Sequence, residues 1–240
     1  MKKWVAFLFL TTLITTSSCR FMNGKRVKGN GHVITSDRGL TGFGGVESNG
    51  SYDVHVATGS HSVKIEGEDN ILPYIETYID GDMLKIRTKK GYWLQPDREV
   101  RIYVTAPAFS KVYSNGSGNI IGQNKLTNAG KMDLNINGSA DMNVEVDAPE
   151  VKAEINGSGN IRIKGQTKKF TSEVVGSGDV KAMELLSEET SVKIMGSGNA
   201  DVYSSVRLNV DVAGSGDVRY KGGGQVNSHI AGSGEVKKVD

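Results

Sequence analysis

The residues of this 240-residue chain with the best claim to chemistry are acids and amides at one position of a repeated tetrapeptide. Gly-Ser-Gly-Asn stands at 116–119, 157–160 and 196–199, and Gly-Ser-Gly-Asp at 176–179 and 214–217. Gly-Ser-Ala-Asp at 138–141 and Gly-Ser-Gly-Glu at 232–235 complete the set. Their fourth residues, Asn119, Asp141, Asn160, Asp179, Asn199, Asp217 and Glu235, form a row if the repeats stack. Such a row could ligate Ca²⁺ or hold the hydroxyls of a glycan. It also has a purely structural reading, because acid and amide alternate. With rungs about 4.8 Å apart, adjacent carboxylates repel by about 3–4 kcal/mol at an effective dielectric of 20, or roughly 1 kcal/mol in water. Alternation doubles that separation, and amides between can hydrogen-bond along the ladder. Two residues on, Arg162, Lys181, Arg219 and Lys237 make a parallel basic row, broken by Asp201.

Other chemistry has little to stand on. His32, His55, His61 and His229 are scattered, without the i, i+4 pairing of a helical metal site. A nucleophilic serine is a single residue in a dedicated setting, whereas Gly-Ser-Gly recurs. No Lys-Ser/Thr follows the glycines, so they are not a phosphate loop. The spacing also differs from the nine-residue calcium repeat of toxin-type β-rolls. No catalytic residue, metal ligand or cofactor is assigned, and no enzyme is expected. Tyr92 and Trp93, between Lys89 and Asp97, are the best candidates for an exposed aromatic contact with a sugar, although core or capping roles are the commoner use. The charge is +2, from 29 basic and 27 acidic residues. Lys2 and Lys3 supply that excess (29 − 2 = 27), so the rest of the chain is balanced and carries no global field for nucleic acid.

The elements that must position this row are short strands. The motifs are spaced by 22, 19, 19, 20, 18 and 18 residues, too short for a helix pair and suited to one coil of a β-solenoid. Seven coils at that spacing make a rod roughly 30 Å long. Alternation runs straight through the motif: Val151, Ala153, Ile155, Gly157, Gly159, Ile161 and Ile163 share one parity, with polar residues between. The glycines are therefore expected to point inward, at a narrow corner where opposing walls approach, and Ser and Asn/Asp outward. Gly50-Ser51-Tyr52-Asp53 reads as an eighth copy, separated from the others by an insertion. Within that insertion, Asp80-Gly81 signals a hairpin and Asn70–Tyr74 a possible helical turn. The fold class is all-β: a parallel β-solenoid over 111–240, preceded by an N-terminal β part over 32–110 with additional strands and a hairpin.

The amino terminus carries a targeting pattern. Lys2-Lys3 is a basic region, and Trp4–Leu10 an apolar run too short to span a bilayer. Thr15-Thr16-Ser17-Ser18 then precedes Cys19, the only cysteine. This resembles a bacterial lipoprotein signal (1–18) with Cys19 as the lipidated residue, although Thr16 stands where such signals usually carry Leu. The resemblance implies a membrane partner through a lipid anchor and an outer-membrane lipoprotein. No acidic residue follows Cys19 within Arg20–Lys25, which favours the periplasmic face over the surface. Residues 19–31, polar and glycine-rich, read as a flexible tether. One cysteine excludes an intramolecular disulfide, so packing alone must hold the fold.

Phe43-Gly-Gly-Val46, Gly50-Ser-Tyr-Asp-Val54, a strand ending in Ala106-Pro107 and the Gly-Ser-Gly-Asn/Asp coils together resemble the head GIN domain family of auto-transporter adhesin-like proteins, common in Bacteroidetes. The resemblance covers about residues 40–236. It implies a right-handed β-helix in a secreted or lipid-anchored protein, and a role in adhesion or in binding a glycan or envelope protein. It supplies no catalytic residues. A polysaccharide-active β-helix enzyme and a structural periplasmic scaffold are the alternatives.

Overall fold

A computed structural model describes residues 24–240. They form a β-solenoid of about 6 turns with extra strands at its N-terminal end. The expected lipoprotein signal over 1–18 and Cys19 lie outside the described residues.

The chain enters through β1 (Lys25–Lys28) and β2 (Val33–Asp37), then lays down the first coil as β3 (Gly45–Gly50) and β4 (Asp53–Thr58). The insertion follows: β5 (Ser62–Glu68), a 3-10 turn (Leu72–Tyr74), β6 (Ile75–Asp80), β7 (Met83–Thr88), β8 (Tyr92–Gln95) and β9 (Arg101–Ala106). β7 and β9 stack parallel on β3 and β4, so they continue the solenoid backwards although they come later in the chain. β6, β5 and β2 then add antiparallel strands and close that end. The Asp80-Gly81 hairpin forms as expected, with Gly81 at φ 62°.

Below β3 and β4 the regular coils begin. One wall is built from β10 (Lys111–Gly116), β12 (Lys131–Gly138), β14 (Glu150–Gly157) and onward. The other starts with β11 (Ile120–Thr127), β13 (Asp141–Asp147) and β15 (Asn160–Gly176). β15 and β16 (Asp179–Gly196) each run through a far corner without a break, serving one wall and then the other. The last coils are β17 (Ala200–Tyr203), β18 (Arg207–Gly214), β19 (Val218–Lys221), β20 (Gln225–Gly232) and β21 (Val236–Lys238). Gly50 registers with Gly116, and each motif glycine registers with the next down to Gly232, so the eighth copy is a true coil.

Unequal motif spacings become unequal coils. The 22-residue coil bulges between Ile121 and Lys125, and the 20-residue coil places Lys181 and Glu184 opposite Arg162 and Lys164, one residue more than its neighbour. Alternation survives these bulges, so one continuous interior runs from Phe43 through Phe109 and Phe170 to Val218. Each Val, Leu or Ile buried there contributes about 1.5–3 kcal/mol, which removes any need for a disulfide.

Residues 24–31 differ from the tether expected of them. β1 pairs in parallel with β8, and the Gly29 N–H donates to the Gln95 carbonyl at 2.9 Å. The buried carboxylate of Glu68 holds the next turn, accepting N–H groups from Gly31, Asp97 (2.8 Å) and Arg98 (3.3 Å). Burial opposes ionisation of Glu68, but those three donors and the Arg98 charge outweigh it and hold the carboxyl below its ordinary range. Polar composition signals a tether only when nothing receives its backbone groups; here β8 and Glu68 do.

Candidate functional site

The motif corner is built by two glycines with different tasks. The second of each pair faces inward and is buried, the first stands half-exposed at the bend, and the serine between them is exposed; only in the terminal coil is Gly232 exposed and Gly234 half-buried. Gly176 has φ +124°, a conformation that L side chains rarely adopt, and a Cβ there would lie 2.2 Å from the Gly157 carbonyl oxygen. Gly178 has no such backbone demand, but its Cβ would lie 2.1 Å from the Gly159 oxygen. At the first glycine the obstacle is therefore the carbonyl of the coil above; at the second it is that carbonyl together with the other wall, whose Ile155 Cγ2 would lie 2.8 Å from a Gly178 Cβ, as a narrow corner requires. Close approach lets each serine N–H reach the preceding first-glycine carbonyl, as Ser177 does with Gly157 at 2.9 Å.

The acid/amide row stands beside this corner as a continuous ladder. Its side-chain oxygens accept the backbone N–H of the next rung: Asn119 from Asp141 (3.0 Å), Asn160 from Asp179 (3.3 Å), Asp179 from Asn199 (3.0 Å), Asn199 from Asp217 (3.0 Å) and Asp217 from Glu235 (2.9 Å). Asp53 is an additional first rung and accepts from Asn119 at 3.0 Å. One rung departs: the Asn160 N–H goes to the carbonyl of Ala140, the residue that replaces a second glycine. The amides also donate upward, Asn160 to Asp141 at 2.8 Å and Asn199 to Asp179 at 3.0 Å. Alternation therefore does more than reduce repulsion. An acceptor-only carboxylate above a donating amide makes a bond that two carboxylates could not. Each of these bonds to Asp141, Asp179 and Asp217 uses Oδ1, so Oδ2 is the oxygen these carboxylates can turn toward a ligand.

The basic row lies alongside in register, from Arg162 through Lys181, Asp201 and Arg219 to Lys237. Asp201 holds Arg219 by two bonds of 2.7 Å, and that contact raises the guanidinium above its ordinary value. Arg162 and Lys181 form no ion pair among the described residues. Two clefts follow the rows, one of about 300 Å³ at Asp141, Asn160 and Arg162, and one of about 280 Å³ at Asp179, Asp217 and Glu235. Lys181 lines both.

Tyr92 and Trp93 lie far from the ladder, on β8 in the N-terminal sheet. Trp93 is 51% exposed with the Arg26 guanidinium 5.6 Å from its ring centre, whereas Tyr92 turns the other way and packs on Tyr74 at 4.4 Å. The histidines do not converge; among the described residues no group of His, Cys, Asp and Glu could hold a metal ion.

With this corner and ladder in view, the sequence was compared with known proteins. Residues 42–224 match the family described as "Putative auto-transporter adhesin, head GIN domain". The chain belongs to this family. No curated protein matches it. Among solved structures, a "putative adhesin" from Parabacteroides distasonis is 26% identical, with a TM-score of 0.75, covering 90% of this chain and 100% of that one. A "putative adhesin" from Bacteroides fragilis superposes with a TM-score of 0.83 at 18% identity, covering 89% and 100%. A "putative lipid binding protein" from P. distasonis has 24% identity and a TM-score of 0.75, covering 90% and 100%. These last two bear on the fold alone. The head GIN domain here thus stands among proteins named as adhesins.

The GIN coil carries a second ladder that the motif search passed over. Asn49, Asn115, Asn137 and Asn156 stand one residue before the first glycine, and the last three each donate to the one above, at 3.0, 2.8 and 3.1 Å. Their constant phase relative to the motif was visible in the sequence. Below Asn156 the row turns apolar, with Val175 and Met195.

Proposed function

We propose that this head GIN protein is a lipid-anchored, non-enzymatic binding protein of the cell envelope, and that the face along the ladder is where it takes a hydroxyl-rich glycan. The supporting observation is the pair of clefts joined at Lys181. Their walls set Arg162, Lys181, Arg219 and Lys237 against Asp141, Asp179, Asp201, Asp217 and Glu235, four cations to five carboxylates. Such a balanced surface disfavours polyanions, while hydroxyls can donate to the carboxylates and accept from the cations. Free carboxylate oxygens recur at every second coil, about 10 Å apart, which suits a repeating ligand. Cys19 would supply the membrane partner, on the periplasmic face of the outer membrane.

The test is glycan-array binding by the wild type and by the triple variant Asp141→Asn, Asp179→Asn, Asp217→Asn. Asn keeps the Oδ1 acceptor, so the ladder should survive while binding falls. Unchanged binding would leave the ladder a structural device, and capture of an envelope protein alone would replace the glycan. Depolymerisation of a polysaccharide by the purified protein would overturn the non-enzymatic reading. Cys19→Ala that still partitions with membranes would overturn lipid anchoring.

A further inference from the structure

The solenoid narrows abruptly between its fifth and sixth motif-bearing coils. Lys181 registers with Asp201, and the Ser205 N–H donates to the Ser187 carbonyl at 3.0 Å. Six residue steps separate Lys181 from Ser187 (187 − 181), but only four separate Asp201 from Ser205 (205 − 201). The shorter coil cannot cover the longer one, and a ledge remains. Leu186 stands on that ledge 55% exposed, while its neighbour Leu185 is fully buried.

Beside the ledge is a cleft of about 420 Å³, within the range of small-molecule sites. It crosses four successive turns of the far corner, from Asp147 through Gln166 and Leu186 to Tyr203, a span of about 14 Å for three coil spacings. Its floor is fixed. The Ser187 and Thr190 hydroxyls stand 2.7 Å apart and both face the Tyr203 carbonyl, 2.8 Å from Thr190, so their two hydrogens are shared among the three oxygens.

The chemistry of the lining selects the ligand. Backbone groups at this corner are already used: Lys168 and Lys169 donate to the Pro149 carbonyl at 3.1 Å, and Val206 to the Glu188 carbonyl at 2.9 Å. A peptide adding as a strand would find few partners. What remains is side chains. Glu188 and Lys168 form no ion pair among the described residues, Gln166 donates to Asp147 at 2.9 Å, and Leu186 offers an apolar shelf next to Tyr203. Carboxylate, amide and ammonium groups around an apolar shelf match a sugar, which has hydroxyls at its rim and C–H groups on its face.

We propose that this ledge is a second binding site, taking a short neutral oligosaccharide, with Glu188 and the Asp147–Gln166 pair holding hydroxyls and Leu186 and Tyr203 receiving the ring face. No ladder residue lines it, so it stands or falls apart from the site proposed above. Calorimetry on the full chain with cellotriose, xylotriose, maltotriose and chitotriose tests it. At least one should bind saturably, and Glu188→Gln and Leu186→Ser should each weaken that binding about tenfold, the loss of one charge-assisted contact or one buried apolar group. Both residues are at the surface, so the melting temperature should hold. The ladder variant Asp217→Asn should leave trisaccharide binding unchanged. Saturable binding to none of the four would overturn the ledge site, as would binding indifferent to both ledge variants or lost only in Asp217→Asn.

Discussion

Gly176→Ala and Gly178→Ala differ by two positions and one methyl placement, yet the corner predicts unequal damage. At Gly176 the new residue must keep φ near +124° or move the bend. Holding a non-glycine residue in such a region costs about 1–3 kcal/mol. Its Cβ would also sit 2.2 Å from the Gly157 oxygen, so the coils must part locally. That parting weakens Ser177 N–H to Gly157 O and Ser197 N–H to Gly176 O, both 2.9 Å, at about 0.5–1.5 kcal/mol each. The total is about 2–6 kcal/mol. Gly178 carries no φ penalty, and Ala140 shows that the equivalent site holds a methyl while fully buried. A local shift there should cost about 1–2 kcal/mol, offset in part by the smaller entropy of the unfolded chain. Urea unfolding followed by circular dichroism gives the two costs, and hydrogen exchange at Ser177 and Ser197 shows whether the damage is local. Equal costs, or a larger cost at Gly178, would refute the division of labour between the two glycines.

Asn160→Asp should destabilise by about 2.5–3.5 kcal/mol, because it loses the bond to Asp141 and repels both Asp141 and Asp179 at roughly 1 kcal/mol each even in water. Raising salt to about 1 M, where screening acts over about 3 Å, should recover the repulsive part and leave the rest. Glu68→Gln should free Gly29–Gly31 from the head, read as faster hydrogen exchange in β1, because a neutral amide cannot serve three N–H donors as well as a carboxylate. Since the Glu68 carboxyl is held below its ordinary range, its contribution is complete above the unfolded value near 4.5 and is lost as pH falls through the folded one. Wild-type β1 protection, corrected for the intrinsic slowing of amide exchange with falling pH, should therefore drop below pH 4.5, and the Gln variant should lack that step. Phe170→Ala, at a side chain 1% exposed, should cost about 3–5 kcal/mol in the same unfolding assay.

The stacking direction, the register and the ladder were legible because one signal, a motif at near-constant spacing, governs all three. Parity then separated inward from outward residues, and the interior follows it from Val112 to Val218. Two kinds of feature were not legible. β1 depends on a partner 67 positions away (Lys25 with Tyr92), and Lys-Arg-Val-Lys carries no alternation to announce it. The reason for the first glycine of each motif was also hidden, because a repeat records that a side chain is forbidden without recording that the backbone of the coil above forbids it. The ledge lies between these cases. The spacings of 20 and then 18 already implied a long coil above a short one, but only the register at Lys181 and Asp201 says where the two-residue difference falls.

The corner also limits what the ladder can offer a ligand. Asn160 and Asn199 each spend their oxygen on the next rung and an amide hydrogen on the previous one. The aspartates between them spend only Oδ1. A ligand on this face therefore meets one open carboxylate oxygen per two coils, with a cation two residues along the strand at Asp179 (Lys181) and Asp217 (Arg219) but Asn143 at Asp141, and most of the row's polarity is already committed to holding coils together. The ledge inverts that balance. Backbone groups there, such as the Pro149 and Glu188 carbonyls, are taken up by stacking, and among the described residues Glu188, Lys168 and Leu186 share no inter-coil side-chain bond, although Gln166 and Ser187 do. A face that must first close its own fold suits many weak, repeated contacts, and a step in coil length leaves room for one contact of greater selectivity. If both sites act, the ladder would set how long a glycan must be, and the ledge which sugar it must carry.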